Sequence, residues 1–185
     1  LFMGVHKSIT LPGPGEVGQV KPEEAINYEL GYRTQTPVFL ELVGFYSDYE
    51  NLLGTCTFSG GCTNTNLDDQ FNSGKVEIYG LESQIGGEWS QKGYKIPLQV
   101  TATYTEAKFA SSIQSFNKIW GVGQINEGDP LPYIPRLKLN LGTGLKREKW
   151  RALIDFNYQS VMYDQAVQDQ RQEVAAYWTL NASGF

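Results

Sequence analysis

The sequence predicts an all-β protein, an antiparallel up-and-down meander of about eight strands with the pattern of a transmembrane β-barrel wall. Strict alternation is the first observation. Tyr94, Ile96, Leu98, Val100, Ala102 and Tyr104 fall on one face, and Lys95, Gln99, Thr101, Thr103 and Thr105 on the other. This is the period of a strand with one apolar and one polar side. The second observation is that Trp and Tyr stand at the ends of the apolar faces, where lipid meets headgroups. The third is the connections, which alternate between tight turns and long loops.

Taken in order, strands are expected near 1–9, 22–35, 37–52, 74–90, 93–109, 132–147, 149–164 and 173–184. In 22–35, Ile26, Tyr28, Leu30 and Tyr32 oppose Asn27, Glu29 and Arg33. The stretch 37–52 has apolar residues in both phases, Val38, Leu40 and Leu42 against Phe39, Val43 and Phe45, so its facing stays open. In 74–90, Tyr79, Leu81, Ile85 and Trp89 would meet lipid while Glu82, Gln84 and Glu88 meet the lumen. Leu137, Leu139, Leu141 and Leu145 alternate with Arg136, Lys138, Asn140 and Lys146. Trp150, Ala152, Ile154, Phe156 and Tyr158 alternate with Arg151, Asp155, Asn157 and Gln159. The last stretch, Val174, Ala176, Trp178, Leu180 and Ala182, alternates less cleanly. Short connections fall at Thr36-Pro37, Gln91-Lys92-Gly93 and Arg147-Glu148-Lys149, and long ones at 10–21, 53–73, 110–131 and 165–172. In an outer-membrane barrel the tight turns are periplasmic, so 10–21, 53–73 and 110–131 are expected outside.

Composition narrows the class. Of 185 residues only 19% are charged while 13% are aromatic, and no run approaches the roughly 18 apolar residues of a membrane helix. A mean hydropathy of -0.35 suits a barrel, because only alternate strand residues face lipid. The net charge of -5, with Lys and Arg scattered among carboxylates, disfavours nucleic acid. Cys56 and Cys62, in Cys-Thr-Phe-Ser-Gly-Gly-Cys, read as a local disulfide in an oxidising compartment rather than a free pair. A metal site is disfavoured because the single histidine, His6, is remote and a tetrahedral site needs about four ligands. No catalytic constellation or phosphate loop stands out, and no enzyme activity, cofactor or metal is expected.

Four stretches resemble the C-terminal barrel portions of TonB-dependent outer-membrane transporters, the ferric citrate and ferric siderophore receptors above all. They are Leu1-Phe2-Met3-Gly4-Val5-His6-Lys7 with Pro12-Gly13-Pro14-Gly15; Lys21-Pro22-Glu23-Glu24-Ala25-Ile26-Asn27-Tyr28-Glu29-Leu30-Gly31-Tyr32-Arg33; Gly80-Leu81-Glu82; and Ile134-Pro135-Arg136-Leu137-Lys138-Leu139-Asn140-Leu141-Gly142. Such barrels have about 22 strands around a plugged lumen. The resemblance therefore implies that residues 1–185 are a partial barrel, with the plug domain, earlier strands and closing strands elsewhere. Ser183, Asn181 and Thr179, polar where a terminal strand would be apolar, support that expectation. It also implies partners: outer-membrane lipid of a Gram-negative cell, an iron-chelate substrate, and the TonB-ExbB-ExbD system acting through the plug.

In that family, ligand contacts tend to come from the outer loops and the plug. Phe58, Phe71, Phe116 and Trp120 are thus candidate ligand residues, or simply rings that pack the loops together. Arg33, Arg136, Lys138 and Arg151 could pair with an anionic chelate, since guanidinium groups bind carboxylates in forked geometry. The competing reading pairs them with Glu29, Glu82, Glu88 and Asp155, or with the plug. Two other architectures compete with the transporter wall. One is a complete eight-stranded outer-membrane barrel with an adhesin or enzyme role, marked by pairing of 1–9 with 173–184. The other is a soluble lipocalin-like binder, which would leave Arg, Asp and Lys outside and bury Trp89 and Trp150.

Overall fold

The computed structural model describes residues 1–13, 20–36, 38–57, 65, 67–116 and 118–185. Eight long strands form one antiparallel sheet in sequence order: β1 (Phe2–Thr10), β2 (Glu23–Thr34), β3 (Phe39–Glu50), β6 (Val76–Gln91), β7 (Tyr94–Phe109), β10 (Leu137–Arg147), β11 (Trp150–Gln159) and β14 (Tyr177–Gly184). Every neighbour in the sheet is the next long strand along the chain, which is the expected meander. β1 and β14 are its two edges and do not pair with each other, so the eight strands do not close into a small barrel.

The turns explain the tight register. Gln91 pairs with Tyr94, and the two residues between them, Lys92 and Gly93, both take positive φ of 50° and 78°. That is a type I′ hairpin, whose twist matches that of the strands it joins. Glu148 and Lys149 make a second two-residue turn, between the paired Arg147 and Trp150.

Register assigns every facing, because residues opposite one another share a side. One apolar row runs Leu40, Ile85, Val100, Leu141, Phe156 and Leu180 across β3, β6, β7, β10, β11 and β14. The facing of β3 is thereby settled: Leu40, Leu42 and Tyr46 join the apolar side, and Phe39, Val43 and Phe45 join the polar one. The inward rings have a reason. Phe45 lies directly opposite Gly80, and Phe2 directly opposite Gly31. Each ring occupies the space above a residue with no side chain, an aromatic cover over a strand glycine. A Cβ at Gly80 would stand 2.8 Å from the Phe45 ring, and one at Gly31 would stand 2.1 Å from the Phe2 ring.

The apolar face is bounded by aromatic rows. At the long-loop end Tyr28, Tyr46 and Tyr79 line up on adjacent strands, with ring centroids 6.2 and 6.4 Å apart. At the short-turn end stand Trp89, Tyr94 and Trp150, the last two with centroids 6.2 Å apart. From Tyr79 to Trp89 is ten residues of β6; at about 3.3 Å each and a tilt of about 40° the rows lie about 25 Å apart. That matches the apolar band of an outer-membrane barrel. Between the rows Leu81, Ile85, Ile96, Leu141 and Ile154 are all more than a third exposed in this chain, as lipid-facing residues are.

The long connections depart from expectation, because three of them contain small hairpins. β4 (Leu53–Thr55) pairs with β5 (Gln70–Asn72), β8 (Ile113–Ser115) with β9 (Gly123–Ile125), and β12 (Met162–Tyr163) with β13 (Glu173–Val174). The last pair corrects the strand limits expected at 149–164 and 173–184: Met162 and Val174 leave the wall to pair with each other, so Val174 and Ala176 are not wall residues. The strand expected at 132–147 starts only at Leu137, because Pro132 and Pro135 lack the N–H a ladder needs and Tyr133 sits at φ 59°.

The buried core lies among these loops and not along the sheet. Val76, Ala107 and Phe109, from the long-loop ends of β6 and β7, pack with Ile125, Leu131, Ala166 and Val167 from two different connections. A hydrophobic cap therefore closes one end of the polar face.

Candidate functional site

Three connections, 51–75, 110–136 and 160–176, meet at the cap, and Trp120 in the second touches the other two. Its ring stands edge-on to Phe109 at 5.1 Å and to Phe71 at 5.5 Å, angles of 73° and 79°. Phe71 in turn covers Gly54 across the β4–β5 hairpin. The carbonyl of Trp120 accepts hydrogen bonds from the N–H groups of Ala166 and Val167, each at 3.0 Å. Gln170 brackets the peptide of Val122: the Val122 N–H donates to its Oε1 at 3.1 Å and its Nε2 donates to the Val122 carbonyl at 2.6 Å. Arg171 donates to Asp129 at 2.8 Å and lies 5.0 Å over the Tyr163 ring, with both side chains of the ion pair largely shielded. The connection 160–176 is thus latched onto the connection 110–136 at several points around Trp120.

Beside Trp120 is a cavity of about 210 Å³. Phe71, Phe116, Trp120 and Ile113 form its apolar wall, and Asn72, Ser73, Gln114 and Ser115 its polar wall. Three of the four candidate loop aromatics are brought together here. Phe58, the fourth, lies outside the described residues, as does Cys62. Cys56 is buried and is not a free thiol. Phe116 is 83% exposed at the cavity rim.

The polar face below the cap is knitted by its own side chains. Thr101, Asn140, Asn157 and Thr179 stand opposite one another on four adjacent strands. Thr101 donates to Asn140 at 2.9 Å, the Asn140 amide donates to Asn157, and the Asn157 amide donates to Thr179 at 3.3 Å. Such a chain ties the four strands together, each bond polarising the next. Arg33 forks onto Glu41 at 2.7 and 2.9 Å. Glu88 is shared between Lys146 at 3.3 Å and Lys95 at 3.4 Å. Arg151 lies over the Phe185 ring at 3.5 Å. Arg136 does not join this face: preceding β10, it reaches Glu106, which is opposite Tyr79, at 2.7 Å. There it belongs to a row of ion pairs just beyond the tyrosines, with Lys7–Glu24, Lys75–Glu50 and Lys108–Glu77. The hydrogen bond and charge of Glu50 hold the Lys75 ammonium above its ordinary pKa. Among the described residues no cluster of side chains could hold a metal ion, and no helix is long and apolar enough to cross a membrane.

A family model for TonB dependent receptor-like β-barrels matches residues 1–185. The chain belongs to this family. Among solved structures, the ferric yersiniabactin uptake receptor FyuA from Yersinia pestis is similar at 19% identity with a TM-score of 0.63, over 89% of this chain and 22% of that one. The ferric-catecholate import receptor Fiu from E. coli K12 is similar at 16% identity and TM-score 0.62, over 97% of this chain and 25% of that one. The ferric enterobactin receptor PfeA from Pseudomonas aeruginosa is similar at 20% and 0.56, over 89% and 24%. The chain thus spans about a quarter of the length of these receptors, whose likeness shows the fold. No match exists among the curated proteins.

Within a TonB-dependent receptor barrel the apolar face is the lipid side and the polar face the lumen. Arg33 and Arg151 then face the lumen, Arg136 stands at the outer rim, and Phe71, Phe116 and Trp120 lie in the cap. The sequence did not signal Gln170, Arg171 and Asp129, whose role depends on two loops meeting in space.

Proposed function

We propose that this chain is a wall segment of an outer-membrane TonB-dependent transporter for a ferric siderophore or ferric citrate-type chelate in a Gram-negative cell. The observation that carries the reading is the aromatic cap at the long-loop end of a sheet whose two faces are sorted for lipid and lumen. Outer loops capture the chelate, with Phe71, Phe116 and Trp120, and Phe58 from the same loop region, among the contacting residues. The wall holds those loops and the lumen charges in place and does no catalysis. Arg33 serves structure through Glu41, leaving Arg151 as the lumen guanidinium without a carboxylate partner among the described residues. A plug domain elsewhere in the polypeptide passes energy from TonB-ExbB-ExbD to the captured chelate.

Cys56 pairs with Cys62 in this reading. The short ring removes about 2 kcal/mol of unfolded-state entropy and stiffens the loop beside β4. The test is growth on a single iron chelate at a time, comparing a strain that lacks the full-length protein with its complemented parent, each with and without TonB. Chelate-specific growth that needs both proteins supports the proposal. Growth indifferent to the full-length protein on every ferric chelate refutes it.

A further inference from the structure

The three residues of the short strand β5 hold two different neighbours. Successive side chains of a strand point to opposite sides, and β5 (Gln70–Asn72) uses both. On one side Gln70 and Asn72 reach the connection 11–22. The Gly13 N–H donates to Gln70 Oε1 at 2.7 Å. Asn72 brackets Lys21: its Oδ1 accepts from the Lys21 N–H at 2.7 Å, and its Nδ2 donates to the Lys21 carbonyl at 2.9 Å. The same Nδ2 donates to the Asn51 carbonyl at 2.9 Å, so one amide joins the connection 11–22 to both ends of the connection 51–75. On the other side Phe71 stands edge-on to Trp120, in the connection 110–136.

The same device recurs at the far end. Gln170 brackets Val122 as Asn72 brackets Lys21, because an amide side chain carries a donor and an acceptor that match the C=O and N–H of one residue. These bonds span 57, 51 and 48 positions, so they are not local turns but junctions between separate connections. The series runs from Gly13 and Lys21 through β5 to Trp120, and from the Trp120 carbonyl to Ala166 and Val167. Each connection supplies the surface against which the next is ordered. Freeing one removes the support of its neighbour, which is the condition for a cooperative opening unit.

We infer that the four connections open and close as one cooperative unit separate from the wall, and that Gln70 and Asn72 are positioning residues for Trp120, acting through Phe71. A contact made on any one connection then stabilises the farthest, and by linkage the effect is reciprocal. The inference holds whatever ligand the loops take.

The experiment is native-state hydrogen exchange of the full-length protein in detergent, without ligand, read at single residues by fragmentation mass spectrometry. Asn72→Ala, which removes three hydrogen bonds, should quicken exchange about tenfold at Gly13 and by a similar factor at Ala166 and Val167, with β7 and β10 unchanged. Reciprocally, Gln170→Ala should quicken Gly13 and Lys21 by the factor it imposes on Ala166 and Val167. In a Phe71→Ala background Asn72→Ala should still quicken Gly13 but lose most of its effect on Ala166 and Val167. Gln70→Ala removes a single hydrogen bond and keeps the test decisive if Asn72→Ala fails to fold. Quickening confined to 11–22 and 51–57, or spread equally into β7 and β10, overturns the unit. Because no chelate enters the assay, that result leaves the receptor reading standing.

Discussion

Two glycines that sit under phenylalanine rings should respond differently to the same substitution. At Gly80, a Cβ would stand 2.0 Å from the backbone carbonyl oxygen of Tyr104 and 2.8 Å from the Phe45 ring, against an ordinary contact of 3.4 Å or more. The carbonyl belongs to the ladder between β6 and β7, so it cannot swing aside without opening that ladder. At Gly31, the three nearest atoms, at 2.1 to 2.6 Å, all belong to the ring of Phe2, on the edge strand β1. That ring can rotate. Gly80→Ala should therefore cost about 3 kcal/mol, the upper range for overpacking a fixed site. Gly31→Ala should cost about 1 kcal/mol, the scale of one displaced rotamer. The assay is urea unfolding of the full-length protein in lipid, with the double variants Gly80→Ala/Phe45→Ala and Gly31→Ala/Phe2→Ala. Removing Phe2 should abolish the cost at Gly31, whereas removing Phe45 should leave most of the cost at Gly80. Equal costs at the two sites, or full rescue of Gly80→Ala by Phe45→Ala, would refute the reasoning.

Other expectations concern the lumen ladder, the loop latch and the cysteine loop. Asn140→Leu breaks the Thr101–Asn140–Asn157–Thr179 chain in the middle and should cost about 1–3 kcal/mol in the same unfolding assay. Leu141→Arg, one residue on but facing lipid near mid-membrane, should cost about 2–4 kcal/mol, and a loss below about 1 kcal/mol would contradict its lipid facing. Arg171→Leu removes the shielded pair with Asp129 and should weaken the latch by about 2 kcal/mol. Hydrogen exchange should then quicken at the N–H groups of Ala166, Val167 and Val122 and stay unchanged in β10. For the cysteines, mass spectrometry of non-reduced tryptic fragments should find Cys56 joined to Cys62, and reduction should speed proteolysis within 53–73 without loosening β6.

Much of the wall was legible because lipid and lumen impose opposite demands on alternate residues. Tyr94 to Tyr104 reads as a strand on periodicity alone, and its register neighbours in β6 and β10 repeat the pattern. The β3 segment was ambiguous for a physical reason: Phe45 faces the lumen in order to cover Gly80, so an apolar residue appears in the polar phase. That pairing exists only across strands, and no property of residues 37–52 by themselves reveals it. The late start of β10 could have been read from Pro132 and Pro135. The cap was not legible. The hairpins β4–β5 and β8–β9 are three-residue ladders held by packing onto Phe109 and Trp120, and local propensity does not specify so short a ladder. Phe71, Phe116 and Trp120 were identifiable as loop aromatics, but their convergence on one cavity depends on two loops meeting. Gln170 and Arg171 looked like ordinary surface polar residues for the same reason.

The facing of the wall is the claim on which the rest depends, and site-directed spin labelling of the full-length protein in bilayers tests it most directly. Labels placed singly at residues 95 to 103, between Tyr94 and Tyr104, report collision with oxygen in lipid and with a nickel complex in water. The account predicts a period of two, with positions 96, 98, 100 and 102 accessible to oxygen and positions 95, 99, 101 and 103 accessible to nickel. The opposite phase, or a profile without alternation, would contradict it.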